Sequence, residues 1–212
     1  MTTRILFVRH TDVHNPGNVF YGRLPRFGLS KLGWEQAERT ALFLRGEPIT
    51  AIYSSPQLRA RQTASVISRY HPGALVSVSR LIAEVYSSVQ GMTFAQIGSG
   101  VNIYEPPRAP GDETIPGVFA RMHRFLTRVA RRHEGETIAC VSHADPIMFL
   151  RAGVEGKQLV LANMRGPDFP EKGSITEFRF ETPDGPPRTS YVDPARVPAP
   201  ASVVAAAKEV YV

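Results

Sequence analysis

Four basic side chains follow short apolar runs of this sequence, at the points where strands would end. Arg9 and His10 close the first run, Arg59 lies just after the second, and His143 closes a later one. An arginine fork matches phosphate oxygens and does not lose its charge, so two arginines beside two histidines suit a phosphoryl-sized dianion. A neutral imidazole can also attack phosphorus and carry the phosphoryl group covalently. The residue types therefore predict phosphoryl chemistry.

The elements that must position these side chains alternate between strand and helix. Near-continuous apolar runs are typical of strands buried on both faces of a parallel sheet, and they predict strands over residues 4–8, 51–53 and 137–141. Residues 75–78 can form a third strand, and residues 175–180 alternate like a later strand. Helices are expected from Ser30, over 58–69, over 118–132, and from Asp145-Pro146 with Asp145 as N-cap. This alternation predicts the α/β class, with three α/β/α layers around a mainly parallel central sheet. Ligands of such sheets bind at the carboxyl ends of the strands.

Length and composition favour one folded domain. The chain has 212 residues, of which 42% are hydrophobic and 21% charged, as in ordinary globular proteins. We expect the α/β domain over residues 1–181, followed by a Pro- and Ala-rich tail of low order over 182–212 that could still be ordered in part. Residues 86–116, rich in Gly and Pro, are expected to cross the surface as a long excursion of the kind that forms substrate walls or lids.

The partners and the compartment follow from charge and cysteine content. A single cysteine, Cys140, forms neither an internal disulfide nor a thiolate metal cage, which favours a reducing cytoplasm, and no run of about 18 apolar residues predicts a membrane span. The net charge is +6, but the clustered arginines of 121–132 lie opposite apolar residues at helical spacing. They are interpreted as a solvated helix face, so nucleic acid is not expected as a partner.

Several spaced motifs occur in a fixed order along about residues 4–180. They are Leu6-Phe7-Val8-Arg9-His10, Asp12-Val13-His14-Asn15-Pro16, Tyr21-Gly22-Arg23-Leu24-Pro25, Gly28-Leu29-Ser30 with Gly33, Tyr53-Ser54-Ser55-Pro56 with Leu58-Arg59-Ala60 and Gln62-Thr63-Ala64, Leu81 to Glu84, Gly111-Asp112-Glu113-Thr114, and Val141-Ser142-His143 with Asp145-Pro146. Together they resemble the histidine phosphatase superfamily, also called phosphoglycerate-mutase-like. Residues 86–110 lack the long insertion of the glycolytic mutases, which favours a phosphatase over a phosphoglycerate mutase.

The resemblance implies a phosphomonoester hydrolase that works without metal or cofactor, through a phosphohistidine, on a small phosphorylated metabolite. His10 would be the phosphorylated nucleophile, and Arg9, Arg59 and His143 would surround the transferring phosphoryl group. Glu84 matches the acidic residue that protonates the leaving oxygen and later takes a proton from water. This last role comes from the resemblance alone.

Further positions are carried over from the resemblance with weaker motifs. Asn15 matches a position that lines the phosphate pocket, and Arg23 is expected at its rim. Thr11 and Ala144 stand where the family most often has glycine beside the phosphate. Thr11 would either donate its hydroxyl to a phosphate oxygen or narrow the pocket. The stretch 111–114 is interpreted as a loop that caps the next helix through Asp112 or Thr114.

Three alternatives stay open at this point. The chain could bind phosphorylated ligands on the same fold without turnover, or act as a phosphoglycerate mutase. It could also hydrolyse esters with a metal held by His10, Asp12, His14 and His143, although the fixed cation of Arg9 opposes a divalent ion there. A homodimer through an edge strand or an exposed helix is the default expectation for its assembly.

Overall fold

Six strands form one sheet in the computed structural model, which describes residues 2–98, 101–164, 166 and 169–197. The strands are β1 (Thr3–Arg9), β2 (Ile49–Ser54), β3 (Leu75–Val78), β4 (Thr137–Ser142), β5 (Ile175–Phe180) and β6 (Arg188–Val192). Their order across the sheet is β3-β2-β4-β1-β5-β6, and β5 is antiparallel to both of its neighbours. The first four strands in this order pair in parallel, as the near-continuous apolar runs predicted.

Helices cover both faces of the sheet. They are α1 (Lys31–Leu44), α2 (Leu58–Ser68), α3 (Phe94–Ile97), α4 (Ile115–Arg132) and α5 (Ala144–Val154). Side chains alternate along β1, so that Leu6 and Val8 pack with α1 and α2, whereas Ile5 and Phe7 pack with α4 and α5. This confirms the predicted three-layer α/β/α fold.

The helix ends largely follow the sequence signals. Ser30 caps α1 by accepting a hydrogen bond from the Gly33 amide, and Thr114 caps α4 by accepting one from the Gly117 amide. The expected N-cap of α5 is wrong: His143 occupies that position and Asp145 lies in the first turn. The reason is that β4 leads into α5 through His143 alone, so no residue separates the strand end from the helix start.

The expected end of the domain at residue 181 would leave strand β6 outside the domain. Residues 188–192 form β6, which pairs with β5 along its full length from Arg188 to Val192. The segment continues into Asp193, whose side chain is buried. The folded unit therefore extends at least through β6, while residues 198–212 of the expected tail lie outside the described residues.

The direction of β5 determines what reaches the functional edge of the sheet. Because β5 is antiparallel to β1, it begins where β1 and β4 end, and Ser174 accepts a hydrogen bond from the Arg9 amide there. Residues just before β5 thus join those that follow β1 and β4. Of the expected excursion 86–116, residues 86–98 and 101–116 are described; most of them are at least partly exposed, and they contain the one-turn helix α3. None of the helices within the described ranges is both long and apolar enough to cross a membrane.

Gly33 allows α1 to approach the loop that follows β1. A Cβ at this position would lie 2.1 Å from the carbonyl oxygen of Asp12, which also accepts a hydrogen bond from the Ser30 amide. We expect Gly33→Ala to lower the free energy of unfolding by about 2 kcal/mol or more, or roughly 4–8 °C in Tm, because backbone must move to relieve the clash.

Gly46→Ala is the matched control for this substitution in thermal denaturation. A Cβ on Gly46 would meet nothing within 4 Å, so its Tm should stay within about 2 °C of the wild-type value. Equal melting temperatures for the two variants would contradict the assigned contact between α1 and Asp12.

Candidate active site

A cavity of about 600 Å³ opens at the carboxyl ends of β1 and β4. Arg9, His10 and Ala144 line it from these strand ends, and Glu84 lines it from the segment after β3. Arg59 and His143 are fully buried and contact His10 and Glu84. The structure thus brings together the five residues predicted for phosphoryl chemistry, Arg9, His10, Arg59, Glu84 and His143.

His10 is held as a neutral imidazole with a defined tautomer. Its Nδ1 lies 2.8 Å from the carbonyl oxygen of Thr11, which can only accept, so Nδ1 carries the proton. Its Nε2 accepts a hydrogen bond from Arg59 Nε at 3.2 Å. Burial, followed by the positive charges of Arg59 and Arg9, keeps the pKa of His10 well below its ordinary value. Nε2 is therefore unprotonated near neutral pH, and its lone pair accepts from Arg59 in this structure.

Arg59 connects the other groups of the site. From the first turn of α2 its Nη2 donates to the carbonyl oxygen of Gly22 at 2.9 Å, to His143 Nδ1 at 3.1 Å and to Glu84 Oε2 at 3.4 Å. The guanidinium also lies 4.5 Å from the ring centroid of Tyr21. Its Nη1 is buried and has no hydrogen-bond partner among the described residues.

His143 is also neutral, with the opposite arrangement of its nitrogens. Nδ1 accepts from Arg59, so Nε2 carries the proton and donates to Ser55 Oγ at 2.6 Å, with Gln57 Oε1 at 3.1 Å. Burial and the charge of Arg59 hold the pKa of His143 well below its ordinary value. The ring centroids of His10 and His143 are 5.1 Å apart.

Glu84 lies in an environment that favours its protonated form. Burial raises the pKa of this carboxyl group, and the negative charge of Asp145 adds to the increase, although Arg59 opposes it. Oε1 accepts a hydrogen bond from the Val85 amide at 2.9 Å. A carboxyl group with a raised pKa beside two neutral imidazoles can hold and release a proton at the cavity wall.

A second ion-pair cluster fixes the backbone that carries Glu84. Arg23 Nε and Arg121 Nη2 donate to the Glu84 carbonyl oxygen at 2.7 and 3.2 Å, and both guanidinium groups pair with the Glu113 carboxylate. Glu113 also accepts from the Tyr86 amide at 2.9 Å. The expectation that Arg23 lies at the pocket rim is corrected: its guanidinium binds the backbone of Glu84 and the side chain of Glu113.

Arg121 also departs from the expected solvated helix face. Its side chain is only 11% exposed and donates to the Leu81 carbonyl oxygen at 2.7 Å as well as to Glu84 and Glu113. The other arginines of that stretch, Arg124, Arg128, Arg131 and Arg132, are exposed as predicted. The periodicity places Arg121 at the border of the apolar face, where a carboxylate can reach it.

Arg9 projects from the end of β1 toward the cavity. Its Nη1 donates to the Pro170 carbonyl oxygen at 2.6 Å, and its guanidinium lies 5.9 Å from the ring centroid of Phe169. Its Nε is buried and makes no hydrogen bond to the described residues. Arg9 and Arg59 thus each keep one buried N–H unpaired within the described part of the chain.

Three weaker predictions have different outcomes. Ala144 lines the cavity, as expected from its position after His143. Asn15 also lines it, but its side-chain amide pairs with the backbone of Val19 at 2.9 and 3.2 Å and so shapes the loop. Thr11 is fully buried, and its hydroxyl lies 3.4 Å from that of Thr63 on α2, outside the residues that line the cavity. Neither predicted effect of its side chain on phosphate is therefore possible without rearrangement.

Several residues of the site were missed by the reasoning from sequence. Asp145 lines the cavity and accepts a hydrogen bond from Tyr104, while Lys172 lines it and pairs with Asp12. Lys172 could have been found if β5 had been known to run antiparallel, because it lies directly ahead of that strand. Gln57 had no signal of its own, since its role depends on contacts with His143 and the Glu84 amide.

The geometry of the site also bears on the alternative of a metal-dependent hydrolase. His10, Glu84 and His143 each offer a ligand atom, and these atoms lie within 4.8 Å of one another. Arg59 donates into the middle of this group, however, and its fixed positive charge opposes a divalent cation there. Of the other residues considered as ligands, His14 is exposed and Asp12 pairs with Lys172 and Ser30. The arrangement suits an anion better than a cation.

The sequence of this chain is similar to those of several known proteins. A family model described as the histidine phosphatase superfamily (branch 1) matches residues 5–187. The uncharacterised protein Rv0525 of Mycobacterium tuberculosis is 33% identical over 167 residues, which cover 74% of this chain and 81% of that protein. Phosphoserine phosphatase 1 of Hydrogenobacter thermophilus is 28% identical over 165 residues, covering 74% and 78%.

A solved structure agrees with this assignment at the level of the fold. Phosphoserine phosphatase from Entamoeba histolytica, in complex with 3-phosphoglyceric acid, superposes with a TM-score of 0.74 at 23% identity. The match covers 90% of this chain and 97% of that one. With the family model spanning nearly the whole described fold and its site at the sheet edge, the chain belongs to the histidine phosphatase superfamily, branch 1.

Proposed function

We propose that this protein hydrolyses phosphomonoesters of small metabolites through a phosphohistidine at His10, without a metal or cofactor. The observation that carries the proposal is the pair of buried guanidinium nitrogens, Arg9 Nε and Arg59 Nη1, that have no hydrogen-bond partner among the described residues and lie beside an imidazole whose Nε2 bears the lone pair. Such donors fit the oxygens of a phosphoryl group. The relative from Hydrogenobacter thermophilus, named phosphoserine phosphatase 1, supports the same reaction class.

The first step transfers the phosphoryl group to the enzyme. His10 Nε2 attacks phosphorus, the bond from phosphorus to the ester oxygen breaks, and Glu84 donates its proton to that oxygen, so an alcohol leaves. The fixed charges of Arg9 and Arg59 stabilise the equatorial oxygens in the transition state.

The second step regenerates the histidine. Water attacks phosphorus, Glu84 takes a proton from this water, and the bond between Nε2 and phosphorus breaks to release inorganic phosphate. Glu84 then holds the proton that the next ester needs. The cytoplasm and a homodimeric state remain parts of this proposal, the first supported by the single buried Cys140 and the second by the general frequency of dimers.

His10→Ala should lower kcat/KM for p-nitrophenyl phosphate by a factor on the order of 10⁴ or more, since it removes the atom that accepts the phosphoryl group. The control is His14→Ala, because His14 is exposed on the same loop and should leave turnover unchanged. Trapping of acid-labile phosphoenzyme in the wild type, and its loss in His10→Ala, would report the intermediate directly. Near-normal turnover of His10→Ala would refute the proposal.

Arg59→Lys should lower kcat by about 10²–10³, because lysine keeps the charge but loses the fork that contacts His10, His143 and Glu84 together. Vanadate affinity and circular dichroism, measured on the same sample, separate a catalytic loss from unfolding. A folded Arg59→Lys enzyme with wild-type kcat would remove Arg59 from the assigned role.

Glu84→Gln should slow the hydrolysis of alkyl phosphates by at least about 100-fold and that of p-nitrophenyl phosphate much less, since only the alkoxide needs a proton on leaving. The pH dependence of turnover tests the same role of Glu84. Wild-type turnover of alkyl phosphates should fall as pH rises through the raised pKa of Glu84, and Glu84→Gln should lose this limb. Equal slowing of both esters would exclude Glu84 as the acid.

A further inference from the structure

One wall of the cavity is formed by apolar side chains. Phe20, Phe94, Ile97, Val101, Ile103 and Leu161 contribute this wall, which we call the apolar wall. Phe94, Ile97, Val101 and Ile103 come from the excursion 86–116, whose described residues also include Glu113, which supports Glu84 through Arg23 and Arg121. Phe94 and Val101 stay 49% and 36% exposed beside the cavity. Large apolar groups left open next to a charged site are typical of ligand contacts.

The charges that line the same cavity lie close to His10. Among the described residues, the cations of the lining are Arg9 and Lys172, with Arg59 beneath them. Arg59, Arg9 and Lys172 are all near enough to His10 for their charges to lower its pKa, after the larger effect of burial. These three cations are therefore grouped around the phosphoryl position.

The apolar wall disfavours a second charged group on the substrate. A second phosphate or a carboxylate on the leaving group would lose water there, and none of the described residues that form the wall carries a charge that would replace this hydration.

We propose, resting on the function proposed above, that the substrates are monophosphate esters of uncharged, largely apolar alcohols, alkyl or aryl. Such an ester places its one dianion at Arg9, Arg59 and His10 and buries its carbon chain against the apolar wall. Esters with a second anionic group are discriminated against by the wall. The excursion 86–116 thereby determines specificity, while the strand ends perform the reaction.

The test compares n-hexyl phosphate with 6-(phosphooxy)hexanoate. Both are esters of a primary alcohol with six carbons, so the reactivity of the ester bond is matched and only the terminal carboxylate differs. Release of inorganic phosphate should give a kcat/KM at least about tenfold higher for hexyl phosphate. It should also rise from ethyl to butyl to hexyl phosphate. Equal values, or a preference for the carboxylate, would overturn the proposal.

A charge placed on the wall should change this ratio. Ile97→Lys adds a cation beside the chain, so the preference for hexyl phosphate should shrink by about tenfold or reverse. Val76→Lys is the control, because Val76 is 54% exposed on the edge strand β3 and does not line the cavity. The ratio is taken within each variant, so that differences in active fraction cancel. An unchanged ratio of the two kcat/KM values in Ile97→Lys would show that the apolar wall does not select the substrate.

A binding measurement distinguishes failure of this proposal from failure of the hydrolase proposal. Hexylphosphonate and 6-phosphonohexanoate, which cannot be hydrolysed, are titrated into the protein by calorimetry. Tighter binding of hexylphosphonate without turnover of any ester would support the apolar wall and refute the hydrolase. Turnover of esters together with equal or reversed binding of the two phosphonates would refute the wall alone.

Discussion

A guanidinium that is removed from water must have its charge and its donors compensated by the groups around it, and Arg59 is enclosed in this way. A carboxyl group, two imidazole nitrogens, a backbone carbonyl oxygen and the face of Tyr21 surround it. Burial, together with the charge of Arg59, lowers the pKa of both histidines, so each has an unprotonated nitrogen at neutral pH. The protonation states of the site therefore depend on its burial and on this cation.

Glu84, which contacts Arg59, is itself held in place by a second group of charged residues. Glu84 faces Arg59 through its side chain, and its backbone is held by Arg23 and Arg121, which share the Glu113 carboxylate. Two guanidinium groups on one carboxylate leave a net positive charge next to the carbonyl oxygen of Glu84. The proposed proton donor is thus fixed through its main chain, in addition to the contacts of its carboxyl group with Arg59 and the Val85 amide.

Much of the fold and of the site was predictable because the signals are local. Apolar runs between turn residues predict buried strands, and Arg9, His10 and His143 follow them directly, so their convergence required only a parallel sheet. Contacts that depend on three-dimensional arrangement were not predictable. The direction of β5 brings Lys172 to the cavity, and the borderline position of Arg121 on α4 turns it toward Glu113. The burial of the Thr11 side chain against Thr63 likewise has no counterpart in the local sequence.

The position of β1 in the sheet has a consequence for synthesis on the ribosome. β1 is synthesised before the other five strands, but its neighbours in the sheet are β4 and β5. Arg4 can therefore pair with Thr137 and Arg179 only after these later residues have been synthesised. Contacts this distant in sequence form slowly and late. A nascent chain that has already exposed His10 therefore has no complete site until β5 has emerged, and its unpaired first strand is a surface that chaperones can bind in the interval.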